Sequence, residues 1–262
     1  MNLYSGRGRP EGFADLAREV VSRNPDVIVA STDAIARAIC TVGSTTPVVW
    51  IGGDPIQAGF ATSFAHPGGN ITGVTAFAGY EIYGKRLQIV KEAVPSASKV
   101  AFLAMRTTWE GGEGQALREA SRRLEISIAG MVLEEATEPE LRRVFAETGQ
   151  QQPDAIMVHG RGDLLAHLQL IVGLVEKSHL PGMYEWRDYA EAGGLMAYAS
   201  DLAELGRRMA DDVHEILRGA NPGDIPIYQP TKFEFLINLR AARALGLTLP
   251  PMLLATADEI IE

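Results

Sequence analysis

Eight residues have the types and positions to grip a small polar molecule. Ser31, Thr32 and Asp54 lie within the first 76 of the 262 residues; Arg106, His159, Tyr184, Glu185 and Tyr198 lie between residues 77 and 200. Each stands in, or just beyond, a strand-like run, and open α/β sheets bind ligands at the carboxyl ends of their strands. The backbone N–H groups of Thr32 to Ala34 open a helix and suit a carboxylate or another anion. Ser31 and Thr32 equally serve as plain caps of that helix. Asp54, ahead of Pro55, either holds a turn or receives a ligand ammonium. Arg106 either pairs bidentately with a carboxylate or stays a solvated loop arginine. His159 ends a strand and opens a Gly-Arg-Gly-Asp loop, where it meets ligand or water or is an ordinary loop residue. Tyr184, Trp186 and Tyr198 offer rings to a planar ligand. Strand alternation sends Tyr184 and Trp186 to one face, so at least one of them is a core candidate.

This is the chemistry of recognition; no bond-breaking machinery accompanies it. There is no Gly-x-Ser-x-Gly and no phosphate-binding P-loop. Gly6-x-Gly8, Gly111-Gly112-x-Gly114 and Gly160-x-Gly162 are fragments of a dinucleotide fingerprint, none complete. His66, His159, His167, His179 and His214 show no metal-ligand spacing with carboxylates or cysteines. The expectation is therefore no catalytic residue, no metal, no cofactor and no enzyme. The single cysteine, Cys40, follows the apolar run Ala34 to Ile39 and reads as a small core residue rather than a nucleophile. A net charge of −9, from 33 acidic against 24 basic residues, argues against a nucleic-acid face. With 46% hydrophobic residues a packed core is expected. No apolar run reaches the roughly 20 residues of a membrane span. The first ten residues have no apolar signal-peptide region.

The elements that must position these residues alternate. Residues 11–23 read as an amphipathic helix stopped by Asn24-Pro25. Asp26 to Ala30 reads as a buried strand, Ala34 to Thr41 as a helix capped from Ser31-Thr32-Asp33, and Pro47 to Ile51 and Ile71 to Phe77 as strands. There follow a helix (79–93), a strand (99–105), a helix (113–124), a strand (126–133) and a helix capped by Thr137 with Pro139 just inside. A strand (152–158), a helix (163–177), strands at 180–186 and 194–199, and a helix capped by Asp201 and running to Arg218 complete the order. Phe233 to Leu239 reads as a strand and Arg240 to Leu245 as a helix. Strict alternation with crossovers predicts parallel sheets.

The two halves repeat this order. Residues 24–32, NPDVIVAST, answer 152–160, QPDAIMVHG; TPVVWIGG at 46–53 answers LPGMYEW at 180–186; GGNITGVTA at 68–76 answers AGGLMAYAS at 192–200. The expectation is two Rossmann-like lobes, each a doubly wound parallel sheet, joined by hinge strands. Lobe 1 is residues 1–76, completed by about 201–228; lobe 2 is 77–200; the tail 229–262 fits either. Superposing the halves leaves lobe 1 one strand and one helix short at its start. Leu3–Ser5 and Val27–Ala30 then read as strands that lack the central strand between them. The corresponding expectation is a truncated copy, or a natural start upstream of Met1.

Five stretches of the chain carry a family resemblance. Asp54-Pro-Ile-Gln-Ala-Gly59-Phe60, Pro67-Gly-Gly-Asn70-Ile-Thr-Gly73, Glu191-Ala-Gly-Gly-Leu-Met-Ala-Tyr198, Gln229-Pro-Thr-Lys-Phe-Glu234, and the tail from Ile237 through Ala244-Leu-Gly-Leu247 to Glu259 resemble the substrate-binding proteins of ABC transporters, in the family that includes tryptophan/tyrosine-type binding proteins. The resemblance runs from about Leu16 to Ile261. It implies a type I periplasmic binding protein fold and hinge closure of two lobes on a small ligand: an amino acid, aromatic ones among them, or a similar polar molecule. It implies a membrane permease as partner, no nucleic acid, and a periplasmic or extracellular, membrane-associated place. Two features depart from the pattern. The export leader and first strand-helix unit of the family are absent, and Arg106-Thr-Thr-Trp109 replaces the usual Asn-Pro turn. Two rival readings are a two-lobed Rossmann enzyme acting on nucleotide-sugars and the effector-sensing domain of a transcription regulator.

Overall fold

The structure, a computed structural model, describes residues 2–5 and 12–262. Gly6-x-Gly8 and Glu11, the predicted start of the first helix, lie outside the described residues. The chain forms two compact units, each discontinuous in sequence: unit 1 is Met1–Ala78 with Asp201–Lys232, and unit 2 is Gly79–Ser200 with Phe233–Glu262.

Unit 1 is built from α1 (Phe13–Ser22), β1 (Ile28–Ala30), α2 (Asp33–Thr41), β2 (Val48–Gly52) and β3 (Ile71–Thr75), with a later helix returned to it from beyond residue 200. The strands make one parallel sheet in the order β1-β2-β3. Alternation along β2 serves both faces. Val48 and Trp50 join Ala17, Ile28, Ala36, Ile39 and Ile71 on the side of α1 and α2, whereas Val49 packs with Ile216 and Ile225. Among the described residues β1 pairs only with β2, and Val29 on it is 53% exposed. Residues 2–5 form no strand, which corrects the reading of Leu3–Ser5: Leu3 is 92% exposed and buries nothing against a partner. Tyr4 instead lies under the Arg23 guanidinium, 5.7 Å from its ring centre. Cys40 is corrected as well. It is exposed in the last turn of α2, whose buried face is Ala36 and Ile39.

Unit 2 holds α3 (Glu81–Ala93), β4 (Lys99–Met105), α4 (Arg106–Glu110), α5 (Gly112–Arg123), β5 (Ser127–Leu133), α6 (Glu138–Thr148), β6 (Ala155–Val158), α7 (Gly162–Leu165), α8 (Leu168–Lys177), β7 (Gly182–Tyr184), α9 (Arg187–Glu191) and β8 (Met196–Ser200). The chain then forms α10 (Leu202–Leu217) in unit 1, where Asp201 caps the helix by accepting Glu204 N–H at 3.0 Å. It returns to unit 2 as β9 (Phe233–Asn238), α11 (Leu239–Ala244), α12 (Pro251–Leu254) and β10 (Glu259–Ile261). The sheet order is β10-β9-β8-β7-β6-β4-β5. Its first five strands in the chain, β4 to β8, therefore take the doubly wound 2-1-3-4-5 arrangement.

Strictly parallel sheets were expected, and β9 breaks the rule by running antiparallel to β8. The register explains why. Ser200, where the chain leaves the sheet, pairs with Phe233, where it re-enters. A strand that starts beside the end of its neighbour has to run back along it. The predicted helix 163–177 is two helices, broken at Ala166–His167, where His167 Nε2 lies 2.8 Å from the Ala136 carbonyl. Thr137 occupies the cap position of α6, but its side chain makes no capping bond.

Candidate functional site

The strongest concentration of buried polar chemistry lies in unit 2, at the carboxyl ends of β6 and β7. Both strands are buried throughout, so each emerges from the core carrying its next residue into a covered position. After β6 comes His159, only 8% exposed; after β7 comes Glu185. Two residues of α3 meet them there. His159 Nε2 and Tyr83 Oη are 3.1 Å apart, a hydrogen bond whose donor follows the imidazole tautomer. The two rings stack with centres 6.2 Å apart, and Phe102 meets His159 edge-on. Burial pushes the His159 imidazole below the ordinary histidine range, which favours its neutral form. His159 Nδ1 is buried with no protein partner.

Arg86 completes the set. Its side chain is 5% exposed and that of Glu185 is 12% exposed, and Arg86 Nη1 lies 3.1 Å from Glu185 Oε1. Oε1 is not aligned with an N–H, so the pair is an ion contact rather than a directed hydrogen bond. Arg86 Nε donates to the Tyr198 carbonyl at 3.0 Å, which ties α3 to β8. The guanidinium also stands 5.7 Å from the centre of the Tyr83 ring. Gly160 makes room for this arrangement: a Cβ there would come within 2.8 Å of Glu185 Cβ and 2.9 Å of Trp186 Nε1. Trp186 Nε1 donates to the Gly160 carbonyl at 2.6 Å. Gly160 thus serves side-chain packing in place of the cofactor loop that Gly160-x-Gly162 hinted at.

The other predicted residues of unit 2 fall elsewhere. Arg106 opens α4 with its side chain half exposed, and it forms ion pairs with Glu110 and Glu134. Tyr198 stacks on Phe233, ring centres 5.5 Å apart, and burial raises its phenol above the ordinary tyrosine value. Tyr184 is fully buried in the hydrophobic core and stacks on Tyr189 at 4.8 Å. Of the two rings that share a face, Tyr184 is thus the core member and Trp186 is half-buried. The Tyr184 hydroxyl has no protein partner. A buried unpaired hydroxyl is a cost, so Tyr184→Phe is expected to leave unfolding free energy unchanged or raise it by up to about 1 kcal/mol. Urea denaturation of the two proteins checks this; a loss of stability would show that the hydroxyl is satisfied.

In unit 1 the predicted residues are used locally. Thr32 Oγ1 accepts Ile35 N–H at 3.3 Å and caps α2, while Ser31 is exposed. Asp54 Oδ1 accepts the N–H groups of Ile56 and Gln57 at 2.8 and 3.1 Å and so holds its own turn. The residue that organises this end of the sheet is Asp33. Its Oδ1 accepts Trp50 Nε1 at 3.0 Å and Gly53 N–H at 3.2 Å, joining the start of α2 to the end of β2.

Sequence reasoning missed Tyr83, Arg86 and Asp33 as members of these sets. A signal for Arg86 was present: it falls in the apolar stripe Ile82, Leu87, Ile89, Val90, Ala93 of α3, all buried. A charge at a core position demands a partner. Among the described residues no group of three or more His, Cys, Asp or Glu is placed to hold a metal ion, and no helix is long and apolar enough to cross a membrane.

With this geometry in hand, known proteins can be compared. The tyrosine-binding protein of Clostridioides difficile (strain R20291) is 22% identical over 235 residues, 88% of this chain and 66% of its own length. The chain thus spans slightly under two thirds of that relative. The ABC domain of Streptococcus pneumoniae in complex with L-Trp superposes with a TM-score of 0.89 at 20% identity, covering 98% of this chain and 86% of that one. A conserved domain protein from Vibrio cholerae superposes with a TM-score of 0.88 at 21% identity, with the same coverage. These likenesses show the fold, two Rossmann-like α/β units of the periplasmic-binding-protein kind. The family model for ABC transporter substrate binding proteins matches residues 1–261, nearly the whole chain, and the chain belongs to that family.

Proposed function

We propose that this protein captures a small amino acid, an aromatic one, and delivers it to the membrane permease of an ABC importer from the periplasmic or extracellular side. The observation that carries the reading is the buried His159–Tyr83–Arg86–Glu185 set at the strand ends of unit 2. It is too polar to be there for stability alone, because buried charge costs free energy unless it is used. A tyrosine-binding relative and an L-Trp-bound neighbour support an aromatic amino acid as the ligand. In unit 2 Glu185 is assigned to the ligand's ammonium, with the half-buried rings of Trp186 and Tyr198 beside that strand end. Asp54 and Arg106 already have partners of their own and are not needed.

Isothermal titration of the full chain with L-tyrosine, L-tryptophan and L-phenylalanine, beside L-leucine, L-glutamate and glucose, tests this. An aromatic amino acid is expected to bind with a Kd of about 10 μM or below, near −7 kcal/mol. No heat from any of the three at millimolar concentration would sink the reading, and tight binding of glucose would replace it.

A further inference from the structure

We propose that Arg86 is a positioning residue: it touches no ligand, and it aims the Glu185 carboxylate at the ligand's ammonium group. The inference rests on the amino-acid reading above. A guanidinium 5% exposed has to place its donors on fixed acceptors, and Arg86 uses two that differ in kind. Nε is anchored on the Tyr198 carbonyl at 3.0 Å, a point of the β8 backbone. Nη1 faces one oxygen of Glu185 at 3.1 Å. Because the guanidinium is planar and rigid, the first contact fixes where the second falls. Glu185 is thereby held relative to the sheet, although it stands one residue beyond β7 on a turn.

The contact with Arg86 is made at Oε1 of Glu185. Oε2 turns to the Gly160 side, 2.9 Å from where a Cβ on Gly160 would stand. The ion contact at Oε1 holds one side of the carboxylate toward Arg86, and Oε2 is assigned to an N–H of the bound ammonium. Tyr83 closes the remaining side with its ring against the guanidinium, while its hydroxyl is engaged by His159. Lysine, with a single point of charge, can reach the Tyr198 carbonyl or Glu185 but does not hold both in fixed geometry.

The test uses the full chain, its best aromatic amino acid and the des-amino analogue of that ligand, which keeps ring and carboxylate but lacks the ammonium. For the natural sequence the amine form is expected to bind about 100-fold more tightly than the analogue. In Arg86→Lys and Arg86→Gln that ratio is expected to shrink about tenfold or more, with affinity for the analogue changing less than about threefold. A purely structural role would weaken both ligands in parallel and leave the ratio intact, and that outcome overturns the proposal. If neither variant folds, the side-chain 15Nε resonance of Arg86 in the unaltered protein decides. It is expected to shift on adding the amine ligand and to hold still with the analogue; no shift with the amine overturns the proposal. Failure of the unaltered protein to bind any aromatic amino acid would instead bring down the functional reading on which the proposal stands.

Discussion

Gly73→Ala is expected to cost at least about 3–5 kcal/mol, and to unfold the sheet of unit 1 under conditions where unit 2 persists. Gly73 lies in the middle of β3, paired with Trp50 of β2, and has φ +133°. That backbone conformation is strained for any residue with a side chain. A Cβ would also lie 2.1 Å from the Trp50 carbonyl oxygen and 2.5 Å from its N atom. These are backbone atoms of the neighbouring strand, so no rotamer change relieves the clash, and separating β2 from β3 gives up their ladder. Trp50 cannot yield either: it is fully buried, braced edge-on by Phe60 and tied to Asp33. A domain's whole stability is of order 5–15 kcal/mol, so the loss is a large fraction of what unit 1 has. Urea denaturation followed by hydrogen exchange checks it. Amides of residues 48–52 and 71–75 are expected to lose protection while those of 99–105 and 155–158 keep theirs. A midpoint equal to that of the unaltered protein would show that β3 shifts to admit the methyl group.

Gly73 also marks where reading the sequence stops. β3 was legible within the run Ile71 to Phe77 because its four residues besides Gly73 are apolar or β-branched. The close approach of two backbones at that glycine was not, because it depends on which strand lies alongside. The same limit applies to β9. Its strand character was plain in the run Phe233 to Leu239, but its direction follows from where the chain re-enters the sheet opposite Ser200. The short helices α4, α9 and α12, of four or five residues, show too few turns for periodicity to register.

The site divides along the same line. The place of His159 was legible because it is the first polar residue after a buried strand; Glu185 was read inside the strand 180–186 and stands one residue beyond β7. Tyr184 obeyed the alternation that made it a core candidate, and its ring stacks on Tyr189 inside the unit. Tyr83 and Arg86 were missed because residues 79–93 were read only as a helix, with no account of which face it buries. The arginine inside its apolar stripe is the signal: an amphipathic helix that buries a guanidinium has been given a partner to hold.

That partner sets the second large effect. Glu185→Leu is expected to destabilise unit 2 by about 3–5 kcal/mol, because it leaves the Arg86 guanidinium buried and unpaired. The pair is 5% and 12% exposed, so solvent does little to screen the loss. The Tyr198 carbonyl still accepts from Nε, but a neutral acceptor does not balance a buried charge. The double variant Arg86→Met with Glu185→Leu removes both charges and refills the space with apolar volume. It is expected to return to within about 1–2 kcal/mol of the unaltered protein, as buried ion pairs replaced by packed apolar residues commonly do. Urea denaturation of the single variants and the double one, without ligand, gives the coupling directly. A Glu185→Leu loss below about 1 kcal/mol would mean the pair behaves as a solvated one, and the geometry proposed for ammonium binding would lose its fixed point. Recovery of stability in the double variant without recovery of amine recognition would separate the two roles. A pair that an apolar substitute can replace for stability, but not for binding, is there for recognition rather than to hold α3 against the sheet.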